Sequence, residues 1–212
     1  MPKVEKKDKY RNSFEISMIE VNPIPSDSDA LKTILECTTR FNLSTDNLKR
    51  KTAKSLIEFS YKNQEINDLL NSIAKKISPS LLEYEIPLCI QHGDLSKDNL
   101  MYGRADERLG FWWIDWEHVG ERIFLYDLFF YIINSVMYFD DKAFNCYMNG
   151  DLDDALKSAF LHFGVSFSLA NKKDWLLIFM IVFLKERVCD FGRVEALRMY
   201  CRFVEEQFGE GK

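Results

Sequence analysis

Residues 91–99 read Gln91-His92-Gly93-Asp94-Leu95-Ser96-Lys97-Asp98-Asn99, and residues 112–117 read Trp112-Trp113-Ile114-Asp115-Trp116-Glu117. The order and spacing of their polar groups decide how the chain is read. Asp94 can accept a proton from a hydroxyl, Asn99 stands 99 − 94 = 5 positions further on, and Asp115 follows after a short hairpin. Such a set can hold Mg²⁺ on a nucleoside triphosphate beside a proton acceptor, which is what phosphoryl transfer requires. Asp94 is the candidate catalytic residue. Asn99 supplies a neutral oxygen and Asp115 an anionic one to a hard cation. His92 is expected to pack and hydrogen-bond so as to hold the loop. Glu117, two residues past Asp115, binds a second metal through water, meets a cationic substrate group, or is a solvated carboxylate.

Working outward, Pro87-Leu88-Cys89-Ile90 is an apolar run leading into the motif, and Leu100-Met101-Tyr102 and Phe111-Trp112-Trp113-Ile114 flank Gly103–Gly110 as the arms of a hairpin. The candidate residues therefore belong at strand ends and loops. Upstream, Phe14–Val21 reads as one strand ended by Asn22-Pro23-Ile24-Pro25. Ser26–Asp29 can cap a helix to about Phe41, and Ser44 or Thr45 a longer helical region to about Ile77. Downstream, apolar periodicity predicts helices over 123–139, 142–149, 152–163, 171–190 and 193–208, broken at Gly150, Gly164 and Gly192. The sum is an α+β unit, mostly α, with a few short strands carrying the site.

With 212 residues, of which 47% are hydrophobic, the chain can bury one sizeable core. Its net charge of −5 is uneven, since residues 1–85 hold 14 Lys and Arg against 13 Asp and Glu, and the remainder 14 against 20. The motif-bearing part is thus the acidic part, which suits a metal or a cationic substrate and not a nucleic acid. Five cysteines without paired metal-type spacing point to reduced thiols and a cytoplasmic setting. The run Trp175–Leu184 is too short to span a bilayer and reads as a buried helix, and no apolar segment follows the charged start, so no membrane association is expected.

His92-Gly93-Asp94 with Asn99, and Ile114-Asp115-Trp116-Glu117, resemble the catalytic loop and the metal-binding segment of the aminoglycoside phosphotransferase and choline kinase superfamily, small-molecule relatives of protein kinases. The resemblance is close over about residues 86–130. It implies a protein-kinase-like C-terminal lobe over 26–212, with 1–25 a remnant of the N-lobe strand and linker, and ATP with Mg²⁺ as cofactors. It also implies that Asp127 in Tyr126-Asp127-Leu128 steadies the catalytic loop. Lys97 sits one residue later than the loop lysine of protein kinases, and no phosphate role is carried to it. Asp190-Phe191-Gly192 spells a protein-kinase metal motif, but it ends an apolar helix, where Gly192 reads as a C-terminal residue.

Kinases of this kind also cover the phosphates with a glycine-rich turn and hold them with a strand lysine. The first glycine here is Gly93. The nucleotide lobe is therefore expected to be largely absent, which reads as a fragment or truncated product, as a form whose nucleotide site is completed by a partner chain or second copy, or as a lobe that has traded catalysis for binding. Two functions follow. One is ATP-dependent phosphorylation of a hydroxyl on an amino sugar, amino alcohol or sugar. The alternative is a catalytically impaired lobe that binds a ligand or partner. Leu128-Phe129-Phe130-Tyr131-Ile132 after Asp127 argues against a simple choline kinase. Glu195, Glu205 and Glu206 are candidate carboxylates for an amino sugar but read as exposed helix acids. Trp175, Tyr200 and Phe203 form either a wall for a cation or part of the core.

Overall fold

The computed structural model describes residues 4–7, 14–16, 20–45, 47–105 and 108–209. Strand β1 (Val4–Lys7) pairs antiparallel with β2 (Phe14–Ile16). The single strand expected over 14–21 is instead β2 and a separate β3 (Glu20–Asn22), which joins a different sheet. Helix α1 (Asp27–Phe41) begins where Ser26 caps it, its hydroxyl accepting from the Asp29 N–H at 3.1 Å.

The long helix expected to Ile77 is broken. Residues Arg50–Thr52 form β4, followed by the short α2 (Ala53–Ile57) and by α3 (Gln64–Ala74). Each helix starts on its own side-chain cap, Thr52 accepting from Ser55 N–H and Asn63 from Glu65 N–H. Periodicity alone could not show the break, because what draws 50–52 out of a helix is the open edge of a strand further on. After α4 (Pro79–Leu82) comes that strand, β5 (Glu85–Gln91), with β4 on one side in register Arg50↔Pro87.

The hairpin forms as read, from β6 (Leu100–Ala105) and β7 (Arg108–Trp113), in register Leu100↔Trp113, and β3 extends it. On the other side of β5 lies β8 (Gly120–Ile123), paired Gln91↔Gly120, where a helix start was expected near 123. Its four residues are too few for alternation to show, and the pairing satisfies backbone groups that β5 would otherwise leave open.

Helices α5 (Tyr126–Met137), α6 (Lys142–Asn149), α7 (Asp153–His162), α8 (Lys172–Leu184) and α9 (Val194–Phe208) follow. Every residue from Asp174 to Leu184 is buried, so α8 is the central rod of the core, as a helix apolar on all sides must be. Phe179 stacks on Phe129 of α5 at 3.9 Å, and Trp175 is fully enclosed. The helix expected to run to 190 changes at Lys185–Cys189 into a π-helical turn. Among the described residues no helix is long and apolar enough to cross a membrane.

Candidate active site

Strand β5 delivers the loop 92–99, and the N-terminal turn of α5 receives it. The buried Asp127 carboxylate accepts the His92 N–H at 2.6 Å on one oxygen and the Gly93 N–H at 2.8 Å on the other. Gln91 closes the arrangement by accepting the Asp127 N–H at 3.1 Å. Burial pushes the Asp127 carboxyl up, and the Gly93 and His92 N–H groups pull against it. Because both partners can only donate, Asp127 works here as a carboxylate. Gly93 has φ +88°, and a Cβ there would collide with the His118 carbonyl oxygen and come within 2.6 Å of the Arg122 guanidinium. Only glycine fits the turn that presents Asp94.

His92 is buried and bridges two segments. Its Nε2 lies 2.7 Å from the Ile114 carbonyl oxygen, and its Nδ1 accepts the Asp94 N–H at 3.3 Å, which puts the ring proton on Nε2. The ring also packs against Trp116, with centroids 4.7 Å apart. Asn99 meets the same segment from the other side, since the Ile114 N–H donates to the Asn99 carbonyl at 3.1 Å. Ile114 thus locks the loop to the end of the hairpin, and Asp115 is the next residue.

The Asn99 side-chain amide donates to the Asp94 carbonyl at 2.8 Å and to the Asp94 carboxylate at 3.3 Å, and its own oxygen has no hydrogen bond among the described residues. Asp115 is exposed and left-handed, with φ 60° and ψ 62°, and its carboxylate has no hydrogen bond or ion pair among the described residues. Asp enters that conformation more readily than most residues, and Leu125 and Phe139 share a positive φ with it. Glu117 lies on the following 3₁₀ turn, largely exposed, with His118 Nε2 at 3.6 Å as its partner. Among the described residues no hydrogen bond or ion pair joins it to Asp94 or Asn99.

An amide oxygen and a free carboxylate are the hard donors that suit Mg²⁺. Among the described residues no group of three or more His, Cys, Asp or Glu could cage a metal. Mg²⁺ is usually held by one or two carboxylates together with phosphates and water.

Two basic residues support the site: Arg187, which the sequence reading did not single out, and Lys97, to which it assigned no role. Arg187, on the π-helical turn, lies 3.3 Å from the Asp94 carboxylate, donates to the Gly93 carbonyl oxygen, and covers the Phe130 ring at 5.3 Å. Its only sequence signal is a charged residue soon after a long apolar helix. The π-turn itself aims it at the loop, and such turns recur at functional sites.

Lys97 holds the loop from beneath, pairing with Asp140 at 2.7 Å and Asp27 at 2.8 Å. Burial disfavours its ammonium, but Asp140 and Asp27 outweigh that and raise its pKa, while the Lys97 hydrogen bond lowers that of Asp140. The Asp140 share of the clamp is complete above the ordinary carboxylate value and lost as pH falls through the depressed one. The Lys97 share is complete below the ordinary amine value and lost as pH rises through the raised one. Replacing Lys97 with Met should therefore cost most stability between about pH 5 and pH 9, with the gap to wild type narrowing at both extremes. Urea unfolding across the pH range checks this, and a gap that widens in acid would contradict it.

The Asp190-Phe191-Gly192 segment is a helix end and not a metal site. Gly192 has φ +66°, its N–H donates to Cys189 O at 2.9 Å, and the Arg193 N–H donates to Val188 O at 3.0 Å, the two bonds of a Schellman motif. Trp175 belongs to the core, and Phe203 packs on Phe144, so the three aromatics weighed as a cation wall do not assemble into one.

The model of the phosphotransferase enzyme family matches residues 38–158, more than half of the chain. The chain belongs to that family. The match takes in the loop 92–99, the hairpin end at Asp115 and the Asp127 support, and it ends before Arg187. No curated protein and no solved structure matches the chain. The match supports the aminoglycoside phosphotransferase and choline kinase-like superfamily that the motifs imply.

Proposed function

We propose that this phosphotransferase moves the γ-phosphoryl group of ATP, with Mg²⁺, to a hydroxyl of a small molecule. The observation that carries the reading is the Ile114 junction. It joins the loop bearing Asp94 and Asn99 to the hairpin end bearing Asp115, so proton acceptor and metal donors are held by one hydrogen-bonded frame.

In this reading the acceptor oxygen bonds to the γ-phosphorus as the β,γ bridge breaks, and that bond's electron pair leaves with ADP. Asp94 takes the hydroxyl proton and passes it to water. Asn99 and Asp115 would hold Mg²⁺, which supplies neutralisation of phosphate charge when bound. Asp127, His92 and Lys97 act through the loop by fixing where Asp94 stands. Residues 1–92 contain no glycine, so any glycine-rich cover over the triphosphate is supplied by other residues.

Asp115→Asn should weaken Mg²⁺-ATP binding about tenfold or more in calorimetry, since it removes the anionic metal donor. Asp94→Asn should leave that binding within about threefold. Equal loss of nucleotide affinity in the two variants would overturn the division of roles.

A further inference from the structure

Beside Asp94, on the side of α5, α8 and α9, opens a cleft of about 400 Å³. Phe130, Phe183 and Tyr200 are among its lining aromatics, and the exposed Tyr138 and Phe191 stand at its edge. Its charged lining residues are Asp94, Arg187 and Arg193. A smaller cavity of about 220 Å³ adjoins it, sharing Asn134 and Tyr138. There Asp140 is taken by Lys97, and Asp98 is exposed.

The charges of the cleft are not balanced. Asp94 is engaged by Arg187 and Asn99. Arg193 has no ion pair or side-chain hydrogen bond among the described residues, and its guanidinium lies over the Phe191 ring at 5.2 Å. The Schellman turn at Gly192 fixes the backbone that carries both Phe191 and Arg193. Asn134, half-buried where the two cavities meet, likewise has no side-chain hydrogen bond among the described residues. A cationic acceptor would find no uncommitted carboxylate in the main cleft. None of the late-helix acids lines it: Glu195 pairs with Arg198, Glu205 with Lys76, and Glu206 lines a neighbouring cavity that shares Met137 and Tyr200.

We infer that the acceptor is an anionic alcohol: a hydroxyl to reach Asp94, an apolar body to lie on Phe130, Phe183 and Tyr200, and a carboxylate or phosphate to meet Arg193. This rests on the phosphotransferase reading above and gives it a substrate class. Asn134 is placed to bind a second polar group of that molecule. Guanidinium recognition of either anion is charge-assisted and directional, and an aromatic floor with few polar groups is the usual make-up of a small-molecule site.

The test uses ligands matched in shape and differing in charge. Binding of 3-phenyllactate, the monophosphate of 3-phenylpropane-1,2-diol, that diol itself, and phenylalaninol is measured by calorimetry on the full chain, with choline and kanamycin as further cations. At least one of the two anions should bind about tenfold or more tightly than the neutral diol, and phenylalaninol no better than the diol. The stronger anion tells carboxylate from phosphate. Arg193→Gln should erase the preference while leaving the melting temperature within about 2 °C, as for a surface change.

Equal or tighter binding of phenylalaninol, an unchanged preference in Arg193→Gln, or no binding of either anion would overturn the inference. Phosphate transfer from ATP to the cations alone would also overturn it and leave the phosphotransferase reading intact. Anion binding without transfer to any compound would do the reverse.

Discussion

Asp94→Asn is expected to lower phosphate transfer by about 10²–10⁴-fold, because it removes the group proposed to accept the hydroxyl proton. The fold should barely notice. The Asn99 amide keeps its 2.8 Å bond to the Asp94 carbonyl, the Asp94 N–H keeps its bond to His92, and Asp127 still holds the turn before it. What is lost is the Arg187 ion pair, which is partly exposed and contributes little to stability. Single-turnover transfer and a melting curve on the same sample separate the two effects. Transfer within about threefold of wild type would show that Asp94 is not the proton acceptor.

Asp127→Ala should have the opposite profile, a large loss of stability with activity failing because the loop fails. The variant strands two N–H groups in a buried site and leaves a small cavity, at a cost of roughly 3–5 kcal/mol. For a chain of this size that corresponds to a fall in melting temperature of roughly 6–20 °C. Asp127→Asn retains one acceptor oxygen and should lose less. A fall below about 2 °C for the alanine variant would mean that the loop is held by something other than this carboxylate.

Much of the backbone layout of the candidate site was legible along the chain because its parts are close in sequence. Asp94 and Asn99 share one loop, and the hairpin between Leu100 and Trp113 returns the chain to Asn99, so Asp115 had to arrive nearby. Turn residues and alternation are local signals, and a hairpin is a local structure. The helices of the second half were legible for a similar reason: 142–149 is α6 residue for residue, and the others begin or end within a few residues of their apolar periods.

Where the reading failed, long-range pairing had decided the outcome. Residues 50–52 left a helical pattern for the edge of β5, where Thr52 pairs with Glu85, 85 − 52 = 33 residues further on, and 120–123, of which only residue 123 fell in an expected helix, pair with the other edge. The backbone groups of β5 must be satisfied, and no window of sequence shows where their partners lie.

The amino-acid sequence by itself determined which groups are available: a carboxylate, an amide and a second carboxylate in an order that a single hairpin can bring together, and a mostly helical body to carry them. Tertiary structure alone decided what surrounds that chemistry. It brought Arg187 to Asp94 through a π-turn, closed Lys97 between Asp27 and Asp140, turned Arg193 into an aromatic cleft without an uncommitted acid, and sent Glu205 to Lys76. The physical reason is that a charge has meaning only beside its partners and its dielectric surroundings, and for these residues both come from segments far apart in the chain.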